Sequence, residues 1–179
     1  MSRKPLGKDF YTRGTLEVAR DLLGRTLCRR LPDGTVLRGR LVEVEAYDGP
    51  SDRASHAFRG LTPRNAPMFA EGGIAYVYIV YGMHHCLNLV TGPAGYPAAV
   101  LLRAAESPDR TRNASGPGRL TKAFAIDRSL DGSSLLGPHL WLEEGKPAPD
   151  GAVRRSARIG VEYAGVWARR KLRFHVGTG

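Results

Sequence analysis

Apolar residues recur at helical spacing in one early stretch. In TLEVARDLL, Leu16, Ala19, Leu22 and Leu23 fall on one face and Gly24 follows, so the pattern predicts a helix capped by Thr15. Alternation then takes over. TLCRRL, the turn Pro32-Asp33-Gly34 and TVLRGRLVEVEAY read as a hairpin, with Leu41, Glu43, Glu45 and Tyr47 on one face of its second strand and Val42, Val44 and Ala46 on the other. DGPSD breaks that strand, Ser51 or Asp52 is placed to cap a short helix containing His56, and TPRN reads as a loop. From Gly73, the runs IAYVYIVY, MHHCLNLV and AAVLLRAAE predict a meander, with GPAGYP as the turn before the last. The first two form a protruding β-hairpin with Tyr81, Gly82 and Met83 at its tip; Tyr76 and Tyr78 share one face of the incoming strand and Tyr81 belongs to the other. GPGRLTKAFAI starts a further helix, and HLWLEE, VRRSARIGV and KLRFHV follow. The expected class is α+β, a single domain over residues 1–179 built on a curved, mainly antiparallel β-sheet with packed helices.

Length and composition bound that picture. A chain of 179 residues, 42% hydrophobic, is long enough for one core, and no stretch approaches the roughly 18 to 20 apolar residues of a membrane span. MSRKPLGKDF has positive charge with no apolar run behind it, so neither leader nor anchor is expected and the predicted location is the cytoplasm, beside the nucleoid in a bacterium. Cys28 and Cys86 sit in apolar runs without ligand spacing and read as buried thiols. Charge adds more. Lys and Arg number 27 against 17 Asp and Glu, a net +10, and 22 of the 27 are arginine, which suits a polyanionic partner; the plain alternative is a solvated arginine-rich surface.

Two features offer chemistry. EVEAYDGPSD brings Glu43, Glu45, Asp48 and Asp52 close together, which suits either carboxylates gathered around magnesium or a single buried general base, beside the bland reading of a solvated strand edge. Tyr47 shares a face with Glu45, and an aromatic wall fits a planar ligand better than a hydrated ion. The hairpin tip is the second. Tyr81 and Met83 stand where a turn ordinarily shows polar residues, and in a basic protein such a tip is a candidate wedge between base pairs. His84 and His85 are neighbours on a strand, point to opposite faces and are poorly placed to chelate one ion.

The runs VEAYDGPSDRASHAFRGLTPRN, YVYIVYGMHHCLN, VLLRAAE, GPGRL and RIGVEYAGVWARRKLRFHV, in that order, resemble the successive blocks of the alkyladenine (methylpurine, or 3-methyladenine) DNA glycosylase family across nearly the whole chain. The resemblance implies a base-excision repair enzyme that needs no cofactor or metal and acts on double-stranded DNA containing damaged purines. It implies Glu45 as the carboxylate that activates water, with Arg103 near that water and the target phosphate. It makes Tyr47, His56 and Tyr78 the walls around the extruded base and Asn88 the side chain that discourages the exocyclic amine of guanine. Ile159 falls where a backbone carbonyl holds the water, and Tyr81 is the intercalating residue, with Met83 beside it. Thr62, Arg64 and Arg119 are expected phosphate contacts, the last at a helix N-terminus. For neutral lesions such as hypoxanthine, His56 is a candidate donor to the leaving purine.

None of the five lysines (Lys4, Lys8, Lys122, Lys146 and Lys171) is among the residues that the resemblance assigns to the site, so a Schiff-base lyase step is not indicated and a monofunctional glycosylase leaving an abasic site is expected, with a monomer as the default because one wedge serves one lesion. His84-His85 departs from the aromatics that family members carry after the tip, which leaves the choice among 3-methyladenine, 7-methylguanine, hypoxanthine and ethenoadenine open. Two other readings stand beside this one: a metal-dependent nuclease using the acidic cluster, and a non-enzymatic nucleic-acid-binding module with tyrosines as stacking platforms.

Overall fold

In the computed structural model, which describes residues 4–108 and 111–177, one long strand organises the sheet. That strand, β2 (Val36–Asp48), pairs through its first half with β1 (Thr26–Arg30) and along its opposite edge with β5 (Ala98–Glu106). Where β1 ends, β8 (Arg173–Val176) takes its place beside Glu43–Glu45 and is itself paired with β7 (Val153–Ser156). Strands β3 (Ala75–Val80) and β4 (His84–Val90) form the expected hairpin, and with β6 (Leu140–Glu143) at the far side the order is β3-β4-β5-β2-β1-β6, all pairs antiparallel.

The alternation read along β2 fails at one point. The register against β5 shifts on either side of Glu43 and is restored at Val44, and across this irregularity both strands change which side chains face inward, with Leu41 and Val44 on β2 and Leu102 and Ala105 on β5 all in the core. Leu41 therefore joins Val44 and Ala46 in the core instead of opposing them, while Glu45 and Tyr47 face the other side of the sheet together.

Helix α1 (Lys8–Tyr11) is a single turn that the sequence pattern does not announce, and α2 (Thr15–Leu22) corrects two expectations. Gly14 occupies the cap position and no side chain caps the helix; Thr15 lies inside the first turn, buried, and its hydroxyl accepts a hydrogen bond from Thr91 at 3.1 Å. Val18, not Leu16, completes the buried face with Ala19 and Leu22. The expected helix around His56 is absent: residues 49–60 form successive turns, because Asp52 directs its carboxylate to the amides of Asp48 (3.1 Å) and Ala54 (3.0 Å) and to a buried arginine described below. Helix α3 (Pro117–Ala123) follows the predicted GPGRL start.

The core lies on one face of the sheet, where α2 packs against β2 and β5 and α3 against β4 and β5. Val18, Leu22, Leu89, Leu102, Leu120 and Phe124 are among its residues. Cys28 and Cys86 are buried free thiols. Among the described residues no helix is long and apolar enough to cross a membrane. Gly24, with φ +93°, closes α2, and a Cβ there would lie 2.3 Å from the carbonyl oxygen of Lys146 and 2.9 Å from the amide of Ala148. Backbone strain and backbone clash add, so Gly24→Ala is expected to cost about 2 kcal/mol or more in urea unfolding. An unchanged midpoint would contradict that account of the close approach.

Candidate active site

The face of the sheet turned away from the core carries the site. Cross-strand pairing sets Tyr76 opposite Asn88, Asn88 opposite Leu101 and Leu101 opposite Glu45, so one row crosses four strands. Over it opens a cavity of about 1020 Å³ whose walls include Tyr47, His56, Tyr78, Asn88, Arg103 and Ile159.

Glu45 is 0% exposed and lies behind that wall. Its Oε2 accepts from the Tyr47 hydroxyl at 2.9 Å, and its Oε1 accepts from the Ile159 backbone N–H at 2.8 Å, with Nη1 of Arg103 at 3.4 Å. Burial pushes the Glu45 carboxyl above the ordinary glutamate range, and Arg103, the Ile159 amide and the Tyr47 hydroxyl pull against that. The Tyr47 phenol is held well above its usual value, first by burial and then by the Glu45 charge, and stays a donor. The part Ile159 plays here is thus that of an amide donor to the carboxylate, while its side chain is half-exposed. Arg103 is fixed from its other side, donating through Nε to Glu43 at 3.0 Å; Glu43 in turn accepts from Arg173 at 2.9 Å.

Across the cavity, the His56 ring stands edge-on to Tyr78 with centroids 4.5 Å apart, and Tyr76 lies 5.4 Å from Tyr78. Nδ1 of His56 and the Tyr76 hydroxyl are 3.0 Å apart, a pair in which either group can donate. Burial, then the Arg64 charge, pushes the His56 imidazole down, which favours its neutral form. Asn88 is buried, its amide donating to the Tyr76 carbonyl at 3.2 Å.

The hairpin tip is exposed: Tyr81 to 90% and Met83 to 68%. Tyr81 adopts φ +52°, left-handed backbone at the turn, and borders the cavity that Tyr76 and Tyr78 also line. His84 lines the cavity and packs under α3, where a Cβ on Gly118 would lie 3.3 Å from it, and the His85 carbonyl accepts from Thr121 at 2.9 Å. Arg64 reaches the rim, donating to the Ile79 carbonyl at 3.1 Å with its guanidinium 5.6 Å from the Tyr78 ring. Arg119, exposed in the first turn of α3, also borders the cavity. Thr62 does not; it exchanges hydrogen bonds with Asn65 (2.7 and 3.3 Å) and shapes the loop.

The four carboxylates of the acidic cluster diverge. Glu43 is shared between two arginines, Glu45 is enclosed, Asp48 accepts from Tyr96 at 3.2 Å, and Asp52 pairs with Arg158 at 2.6 and 2.9 Å. Among the described residues no three His, Cys, Asp or Glu side chains are grouped so that they could hold a metal ion. Sequence reasoning passed over Arg158. Its guanidinium lies 4.6 Å from the Tyr47 ring centroid and is fully buried, yet in RIGV it looks like any other arginine.

Comparison with known proteins gives a consistent result. A sequence model of the family described as Methylpurine-DNA glycosylase (MPG) matches residues 9–178. A protein of Myxococcus xanthus is 49% identical over 176 residues, 96% of this chain and 89% of its own length. One of Anaeromyxobacter dehalogenans is 52% identical over 172 residues, covering 94% and 80%, and one of Methanocella arvoryzae is 50% identical over 185, covering 95% and 91%. All three are provisionally named 3-methyladenine DNA glycosylases.

Proposed function

The chain belongs to the methylpurine-DNA glycosylase family, enzymes that act on N-glycosyl bonds, and from that premise we propose that it flips alkylated or deaminated purines out of duplex DNA and hydrolyses the bond to the sugar, leaving an abasic site. The observation that carries this reading is the buried Glu45 carboxylate behind an aromatic-walled cavity, held by two donors and Arg103. Such a carboxylate stabilises an oxocarbenium-like sugar electrostatically and removes a proton from the attacking water. The contact with Arg103 is the longest of the three, so water enters there, beside Oε1, with the Ile159 carbonyl as a further acceptor. Arg103 also serves the target phosphate.

Tyr47, His56 and Tyr78 receive the base, and a cationic purine such as 3-methyladenine gains cation–π attraction of about 0.5 to 2 kcal/mol there that a normal base does not. It also leaves without protonation, so one carboxylate is sufficient. Asn88 crowds the exocyclic amine of guanine. Tyr81, with Met83, fills the gap in the duplex, and Thr62, Arg64 and Arg119 contact the backbone. The protein acts as a monomer, without cofactor.

Duplexes carrying hypoxanthine or ethenoadenine, and methylated DNA, incubated with excess protein in EDTA, test this. Free base is expected, with strand breaks appearing only after alkali. Magnesium-dependent breaks without alkali would turn the reading to a nuclease, and tight binding with no released base would leave a nucleic-acid-binding module.

A further inference from the structure

Asp52 and Arg158 are both fully buried, neither lines the cavity, and the reading above gives them no part. A buried ion pair is a poor source of stability, because desolvation offsets most of its attraction. This one ties together β2, the turns that follow it and the segment that carries Ile159. Arg158 donates to both Asp52 oxygens (2.6 and 2.9 Å), to the Ala46 carbonyl on β2 (2.9 Å) and to the Trp167 carbonyl (3.4 Å). Asp52 accepts in addition from the amides of Asp48 and Ala54. The guanidinium backs the Tyr47 ring, whose hydroxyl donates to Glu45, and the next residue along the chain is Ile159, whose amide is the other donor.

We propose that the Asp52–Arg158 pair is a positioning element for the Glu45 carboxylate, holding the Tyr47 ring from behind and the Ile159 amide beside it so that both donors meet the base. The inference rests on Glu45 being that base. The groups facing Glu45 are Tyr47 and Glu43 from β2, Arg103 from β5, Tyr78 and Cys86 from the β3–β4 hairpin, Arg173 opposite it on β8, and Arg158 with the Ile159 amide from the loop. Arg103, the Ile159 amide, Tyr47 and Arg158 favour its ionised form against burial. Loosening the pair weakens three of these four at once. Glu45 then takes up a proton at higher pH, and the acid side of the rate profile moves upward.

The test follows single-turnover excision against pH, using the lesion that the unaltered protein releases fastest, in the double variant Asp52→Asn/Arg158→Gln, which leaves no buried charge unpaired. Its rate near neutral pH is expected to fall about 10- to 100-fold, the range for a displaced catalytic group, with the acid limb displaced upward by about half a pH unit or more. Binding to a duplex with an abasic-site analogue, which needs the wedge and not the base, should stay within about threefold. A rate within twofold of the unaltered protein, or a loss uniform across pH, overturns the proposal. If the double variant does not fold, Asp52→Asn alone decides, since it keeps the shape of the pair and one acceptor; an unmoved limb in it is equally fatal. Glu45→Gln is run alongside. Full activity there sinks the assignment of the base itself, whereas an inactive Glu45→Gln with an unshifted pair variant sinks only the positioning role.

Discussion

Glu45→Gln is expected to lower single-turnover excision by about a thousandfold or more while leaving the fold and DNA binding intact, because it removes the proposed general base and the charge proposed to face the sugar cation. The substitution suits the site. A glutamine oxygen can accept from the Ile159 amide and Arg103 as Oε1 does, and its NH2 group can donate to the Tyr47 oxygen once that hydroxyl rotates. No cavity opens, so a lost rate with an unchanged melting temperature reports chemistry rather than unfolding. The pH profile sharpens the test. On the proposed mechanism activity requires the ionised carboxylate, and burial raises its pKa above the 4.5 of an ordinary glutamate, so the wild-type rate should decline with falling pH from a point above that value. The residual rate of the glutamine variant should show no such limb. A fall of less than about tenfold, below the range for general-base catalysis, would mean that another group activates the water.

What could be read along the chain followed the reach of each physical signal. Strands announced themselves because alternation and β-branched runs are local, and β1, β3, β4 and β5 lie where the pattern puts them. The irregularity at Glu43 has no glycine to mark it, and it moved Leu41 to the core face without any compositional trace. Thr15 misled for a related reason: a threonine before an apolar stripe is an ordinary cap, and only the packing of α2 shows its hydroxyl engaged with Thr91. The site residues rested on the family resemblance, since nothing in spacing links Tyr47, His56, Asn88, Arg103 and Ile159. The folded chain gathers them around one cavity. Arg158 escaped both routes. Its partner Asp52 stands 106 residues away, and a buried arginine among 22 is recognised only by what surrounds it.

Tyr81→Gly separates the proposed wedge from the fold, and the two should respond differently. At φ +52° a tyrosine pays for its backbone conformation, and glycine relieves that strain while also widening the unfolded ensemble. Because the side chain is 90% exposed, its removal uncovers almost nothing. Stability is therefore expected to stay level or rise by up to about 1 kcal/mol. Excision should fall. Extruding a paired nucleotide costs a few kcal/mol of unstacking, and a side chain that fills the gap offsets part of it; losing that offset slows duplex excision by about 10- to 100-fold. The penalty depends on the stack being present. The same lesion in single-stranded DNA, or opposite a bulge, should be excised by Tyr81→Gly and the unaltered protein at nearly equal rates. An equal loss on duplex and single strand would place Tyr81 in the chemistry rather than in the stack, and a lower melting temperature would mean that the left-handed tyrosine is held by contacts its exposure does not reveal.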